Sequence, residues 1–221
     1  MITALRPVPC LLVGIHGHAG AGKDSVGNYL QQNYENVWGE QFARPLKEAC
    51  AKLFGIPLQD FYDPVDKEAM NDYWDVSPRK IAQFVGTEFG RDLLPDLLSH
   101  CNTSFWIKHL EGRLLGRINT NEDGPTEYLS NETVVITDIR FQDEYDWIIS
   151  QGGFVIHLTR PGADGNVGIL NHASEFQLDL HSPERTYLIE NNGTIEELYT
   201  KVDQFFEYAD SLTQPQSSFE L

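Results

Sequence analysis

Apolar positions along the chain alternate between short continuous runs and stripes of helical spacing. Leu11, Leu12, Val13 and Ile15 make the first run, as expected of a strand buried on both faces of a sheet. Val26, Tyr29 and Leu30 then recur at helical intervals. Gln41-Phe42-Ala43 reads as a short second strand, and 45–54 as a helix with Leu46, Ala49, Cys50 and Leu53 inward. Residues 55–76 are irregular and acidic, with aromatic residues at Phe61, Tyr62, Tyr73 and Trp74. Ser77-Pro78 has the chemistry of an N-cap followed by proline in the first helical turn, and Ile81, Phe84 and Val85 give that helix an apolar side. Further helices are predicted at 91–100 and 105–117, with a polar loop at 119–132. Strand character returns at 133–137, 154–159 and 186–189. Between the first two lies a helix at 142–150 with Trp147 and Ile148 inward. A capping box, Thr194-Ile-Glu-Glu197, opens a last helix with Ile195, Leu198, Val202 and Phe205 on one face.

Strands alternating with helices predict an α/β fold, a parallel sheet with helices on both faces. The predicted organisation is one domain over residues 1–221, with its core at about 8–43 and 133–209. The helical stretch at about 44–120 is too large for a crossover and reads as a substrate-binding insertion. Residues 160–185 read as a lid and 212–221 as a disordered tail.

The segment from Pro9 to Leu30 runs the first strand into a glycine-rich turn and then a helix. Gly17, four residues, Gly22 and Lys23 fit the phosphate loop G-x-x-x-x-G-K-[ST], so the sheet is predicted to be of the P-loop type. Glycines are needed because the backbone must close around a phosphate with its N–H groups inward, where side chains would obstruct. Gly17, Gly20, Ala21, Gly22, Lys23, Asp24 and Ser25 are therefore the candidate nucleotide-binding residues. Lys23 would reach the β- and γ-phosphates, beside the positive end of the helix dipole. Asp24 stands where a serine or threonine usually follows the lysine. A carboxylate is an equally hard oxygen ligand, so Asp24 and Ser25 are the candidate Mg²⁺ ligands, and the expected nucleotide is a nucleoside triphosphate.

Charge narrows the partners. The 16 Lys and Arg against 33 Asp and Glu give a formal charge of −17, which opposes binding to nucleic acid or anionic membrane. No run approaches the length of a membrane span, no signal-peptide pattern precedes the first strand, and a cytoplasmic setting is expected. Cys10, Cys50 and Cys101 are too scattered for a disulfide framework or a zinc site. A homodimer remains open.

With so few cations, each is informative. Arg79 and Lys80 sit in the first turn of a helix, against its dipole, where a bound anion would reverse the sign of that term. Asp138 and Arg140 follow the 133–137 strand. An acid there can orient metal-bound water or a substrate hydroxyl, and the arginine's planar fork suits a transferring phosphoryl group. Glu144, a helical turn beyond Arg140, can pair with it. Arg160 is a candidate lid arginine, while His172 and Glu175 in the same loop are weaker candidates. Thr200-Lys201-Val202-Asp203 matches a guanine-recognition pattern, but Val202 belongs to the apolar stripe of the last helix, so that match is rejected.

In their order, these segments resemble the deoxynucleoside monophosphate kinases of tailed bacteriophages, over most of residues 11–206. The likeness rests on Gly-Lys-Asp-Ser at 22–25, Arg79-Lys80 leading to Gly86-Thr87, and the Trp106 segment. It continues through Asp138-Ile-Arg140 with Glu144, residues 155–162 and residues 189–198. The resemblance implies Mg²⁺-dependent transfer of the γ-phosphoryl group of ATP to a deoxynucleoside 5′-monophosphate, a small-molecule partner, with an acceptor site drawn from Arg79, Gly86, Thr87, Trp106, Asp138, Arg140 and Glu144. On the residues themselves, Lys80, which stands where the family more usually has an arginine, joins that site, and Lys23, Asp24, Arg140 and Arg160 are the candidate catalytic residues. The alternatives are another small-molecule P-loop kinase, such as one acting on dephospho-coenzyme A, and a non-catalytic nucleotide switch.

Overall fold

The computed structural model describes residues 10–98, 104–116, 132–162 and 178–213. They fall into two compact units, one from residues 10–39 with 132–213, the other from 40–116.

The first unit is built on β1 (Leu11–His16), β2 (Val37–Glu40), β3 (Thr133–Ile139), β4 (Phe154–Thr159) and β5 (Thr186–Glu190), in spatial order β2-β3-β1-β4-β5. The β1–β3, β1–β4 and β4–β5 pairs are parallel. Such pairing requires crossovers; within this unit α1 (Lys23–Asn33) follows β1 and α6 (Gln142–Ser150) joins β3 to β4, while α7 (Ile195–Thr213) follows the last strand and packs on the sheet. The two-residue period of β1 divides its side chains between the faces. Val13 and Ile15 join Val26 and Leu30 of α1 and Leu198, Val202 and Phe205 of α7 in one core. On the other face Gly14 lies so close to Ile148 of α6 that a Cβ would come within 2.7 Å of its Cδ1. The sheet is therefore covered on both faces, as the apolar runs require.

The capping box at Thr194 is present. The Thr194 amide donates to Glu197 Oε2 at 2.8 Å and the Glu197 amide to Thr194 Oγ1 at 3.3 Å. Asp203 lies in mid-helix and accepts hydrogen bonds from the Tyr29 and Tyr34 hydroxyls at 2.8 and 2.6 Å, which ties α7 to α1 and accounts for the rejected guanine motif.

The second unit contains α2 (Arg44–Phe54), a 3₁₀ turn (Leu58–Phe61), α3 (Pro78–Phe84), a π-helical stretch (Val85–Leu93), α4 (Leu94–Leu97) and α5 (Phe105–Leu114). Ser77 caps α3 as expected, its Oγ accepting from the Lys80 amide.

Several expected boundaries move. The second strand is Val37–Glu40, because Gln41–Ala43 turn the chain into the helix that Pro45 helps to start. Residues 78–97 form one helical run, widened to π geometry in its middle, so the separate helix at 91–100 is not seen; 99–103 lie outside the described residues. β3 runs on to Ile139, which puts Asp138 inside the strand. Leu212 and Thr213 still belong to α7, and 214–221 lie outside the described residues, as do His172, Glu175 and most of the expected lid.

Candidate active site

β1 delivers the chain into a turn that only glycine can make. A Cβ on Gly17 would stand 2.3 Å from the Leu158 carbonyl oxygen of β4, and Gly22 adopts φ 107° as it caps α1. Gly20 also has positive φ, 78°, with open space where a Cβ would be. Ala21 is buried and its carbonyl accepts from Asn191 Nδ2 at 2.9 Å. Asn191 follows β5 and its amide bonds the Thr159 carbonyl at 2.7 Å, so it ties the loop to two strand ends. Nothing in the spacing of the loop motif points to Asn191, and the sequence reading missed it.

Lys23 opens α1 and folds back over the turn. Its Nζ donates to the Gly17 carbonyl at 2.6 Å and the His18 carbonyl at 2.9 Å. Arg160, at the end of β4, reaches the same loop, with Nη1 3.4 Å from the Gly20 carbonyl oxygen. Asp24 is exposed in the first helical turn and Ser25 beside it is half-buried. The structure thus gathers Gly17, Gly20, Gly22, Lys23, Asp24, Ser25 and Arg160 about one backbone turn. A helix start, an ammonium lying over the loop and glycines that leave room suit a polyphosphate.

The β3–α6 connection carries Asp138, half-buried, and Arg140, exposed. Glu144 is buried and its Oε2 accepts from the amides of Arg140 and Phe141 at 2.8 and 3.1 Å. The expected pairing of Glu144 with Arg140 is therefore to the arginine's backbone, where the carboxylate satisfies donors at the start of α6.

In the helical unit, Arg79 Nε lies 2.5 Å from Glu68 Oε1, an ion pair in which the N–H is not aligned as a hydrogen bond. The anion invited by the first turn of α3 is thus supplied, for Arg79, by the chain itself. Lys80 is exposed and lines a cavity of about 350 Å³ with Phe54, Val76, Ile81, Phe84 and Val85. Trp106 of α5 is buried, and its Nε1 donates to the Gly86 carbonyl at 2.8 Å. Its ring covers Gly90, where a Cβ would come within 2.5 Å. Trp106 fixes the π-helical stretch that carries Gly86 and the half-buried Thr87. Cys10 and Cys50 are buried thiols, and burial pushes their pKa values up to about 12 and about 11, so neither is a nucleophile.

A parallel sheet in this strand order, with a glycine loop and lysine between its central strand and first helix, defines a P-loop protein of the α/β class. The family model for deoxynucleotide monophosphate kinase matches residues 58–202. A protein of Acanthamoeba polyphaga mimivirus, provisionally named a deoxynucleotide monophosphate kinase, is 32% identical over 194 residues, spanning 87% of this chain and 94% of that one. The deoxynucleotide monophosphate kinase of Escherichia phage RB69 is 25% identical over 176 residues, 80% of this chain and 62% of its own. That of Enterobacteria phage T4 is 26% identical over an alignment of 256 positions, covering 86% and 96%. The chain belongs to the deoxynucleotide monophosphate kinase family and is a phosphotransferase. No helix among the described residues is long and apolar enough to cross a membrane.

Proposed function

We propose that the enzyme transfers the γ-phosphoryl group of ATP to a deoxynucleoside 5′-monophosphate, giving the diphosphate and ADP for DNA synthesis, in the cytoplasm of a cell. The observation that carries this reading is the glycine turn itself: a Cβ at Gly17 would strike the Leu158 carbonyl, and Lys23 already lies over the loop. In this reading the loop amides from Gly17 to Ser25 hold the triphosphate, and Lys23 leaves the carbonyls of Gly17 and His18 for the β- and γ-phosphates. Arg140 and Arg160 stabilise negative charge on the phosphoryl group as it transfers. Arg79 exchanges Glu68 for the acceptor's phosphate, assisted by Lys80. Gly86, Thr87 and Trp106 shape the backbone next to that pair. Asp138 orients the acceptor, and Glu144 fixes the turn on which Arg140 stands. Little bond-making falls to the protein, so positioning and charge neutralisation account for the rate.

Asp24 and Ser25 fit Mg²⁺, because they place a carboxylate and a hydroxyl at the loop's exit, and two hard oxygens are the donor set this ion takes. When bound, the ion would neutralise charge shared between the β- and γ-phosphates. Asp24→Ala is expected to raise the Mg²⁺ concentration for half-maximal velocity by about tenfold, the effect of roughly 1.4 kcal/mol in ion binding. An unaltered metal titration would remove Asp24 from that role.

The function is tested by coupled ADP release across the common deoxynucleoside and nucleoside monophosphates, with dephospho-coenzyme A as a rival acceptor. At least one deoxynucleoside monophosphate should stimulate turnover well above that with ATP alone. Stimulation by dephospho-coenzyme A and by no monophosphate would replace this reading with the rival one.

A further inference from the structure

His16 is the last residue of β1 and directly precedes the phosphate loop, yet its side chain serves another strand. Its Nδ1 lies 3.2 Å from the carbonyl oxygen of Ile139, the residue between Asp138 and Arg140. A carbonyl only accepts, so Nδ1 must carry the proton. The ring is stacked on that of His157 in β4, with centroids 5.1 Å apart and planes at 24°.

The backbone explains why Ile139 needs holding. The β1–β3 register pairs Gly14 with Ile136 and His16 with Ile139, two residues of β1 against three of β3. The extra residue of β3 is a bulge, and bulges re-aim side chains next to active sites. It falls at Thr137-Asp138, so it sets the direction in which Asp138 leaves the sheet. A bulged strand loses regular ladder bonds, and its carbonyls need other donors. His16 provides one at Ile139, while Glu144 holds the amides of the next two residues.

We infer that His16 is a positioning residue: its imidazole clamps the β3 bulge and thereby fixes Asp138 and Arg140 for the acceptor. Burial pushes its pKa down to about 4, so the ring stays neutral and keeps one tautomer at neutral pH. This inference rests on the roles proposed above for Asp138 and Arg140.

The test separates the hydrogen bond from the packing. His16→Phe keeps an aromatic ring over His157 but has no donor, whereas His16→Asn places an amide N–H near the Nδ1 position without the ring. Steady-state kinetics are measured for wild type and both variants, with ATP and the deoxynucleoside monophosphate varied separately, alongside thermal unfolding. H16F should lower kcat/KM for the monophosphate by about tenfold or more, with KM for ATP within about twofold of wild type. H16N should recover most of that loss. A purely structural histidine beside Gly17 would instead raise KM for ATP in step, and that result, or equal impairment of H16F and H16N, overturns the inference. If H16F does not fold, H16A takes its place in the same comparison. A wild type that ignores every monophosphate would defeat the proposed reaction and this inference with it. A wild type that turns over alongside an H16F of equal kinetics defeats the inference alone.

Discussion

Lys23→Met should lower kcat by about 10²–10³-fold, the usual consequence of removing one preorganised charge donor from a site where negative charge develops. The side chain is half-buried, and its ammonium is held by the Gly17 and His18 carbonyls at 2.6 and 2.9 Å. Those contacts keep the charge at the loop until phosphate oxygens take the place of the two carbonyls. Methionine keeps much of the stem and none of the charge. The turn itself should survive, because the glycine conformations and the Asn191 bond to the Ala21 carbonyl do not involve the lysine. Thermal unfolding of the free enzyme should therefore change little while turnover collapses. Lys23→Arg should not restore the rate: a planar, forked guanidinium does not present its charge to the β- and γ-phosphates as a compact ammonium on a flexible four-carbon stem does. ADP release measured at saturating ATP decides the matter, and a Lys23→Met enzyme within tenfold of wild type would exclude Lys23 from the chemistry.

That the loop could be read from sequence, while its support could not, has a physical cause. Gly17, Gly22 and Lys23 lie close together in sequence, and their spacing alone signals a backbone that surrounds a phosphate, although the Leu158 carbonyl that also demands glycine at 17 does not show there. The caps at Ser77 and Thr194 are equally local, and both are present. Asn191, His16 and Arg113 act across distances at which spacing carries no signal. The His16–Ile139 bond joins residues 123 positions apart, and the Arg113–Gln41 bond residues 72 apart. Errors in the apolar faces have a different origin. Leu53, Phe84 and Ile195 match a helical stripe but are 74%, 61% and 43% exposed; Leu53 and Ile195 lie at the ends of their helices, while Phe84 stands where the run passes from α to π geometry, which shifts the stripe. In α2 the buried positions are Leu46, Cys50 and Ala51, and Ala49 is exposed, a rotation of the stripe by less than one residue spacing. β3 extends beyond its apolar run, to Ile139, although Asp138 has the polarity of a strand end. The bulge lets a polar residue sit within the strand without facing the core.

The helical unit depends on a charge pair that composition alone would place on the surface. Glu40 and Arg113 are each 5% exposed, with Arg113 Nη1 3.1 Å from Glu40 Oε2 and Nη2 donating to the Gln41 carbonyl at 2.8 Å. Arg44 stands on the same carboxylate oxygen at 3.5 Å. Burying two charges costs several kcal/mol of hydration each, repaid only while both are present and hydrogen-bonded. Glu40→Ala should therefore destabilise the protein by about 3–5 kcal/mol, because it leaves a guanidinium in the interior with its counter-charge removed. That is a large share of the roughly 5–15 kcal/mol by which domains of ordinary size are stable, on the order of 10²–10⁴ in the folded-to-unfolded ratio. Arg113→Met should cost less, because Glu40 keeps Arg44 at 3.5 Å as a counter-charge. The double replacement Glu40→Leu with Arg113→Met should cost less than the two single losses combined, since it removes both buried charges and leaves neither unpaired. Urea denaturation of the four proteins measures this coupling directly, and strictly additive losses would mean the two charges do not depend on each other. The functional consequence follows from α5, which carries both Arg113 and Trp106. Loosening that helix frees the Gly86 carbonyl from the Trp106 indole, so a partly folded Glu40→Ala enzyme should show a raised KM for the monophosphate. KM for ATP should stay near its wild-type value, because every residue proposed to hold the triphosphate lies in the other unit.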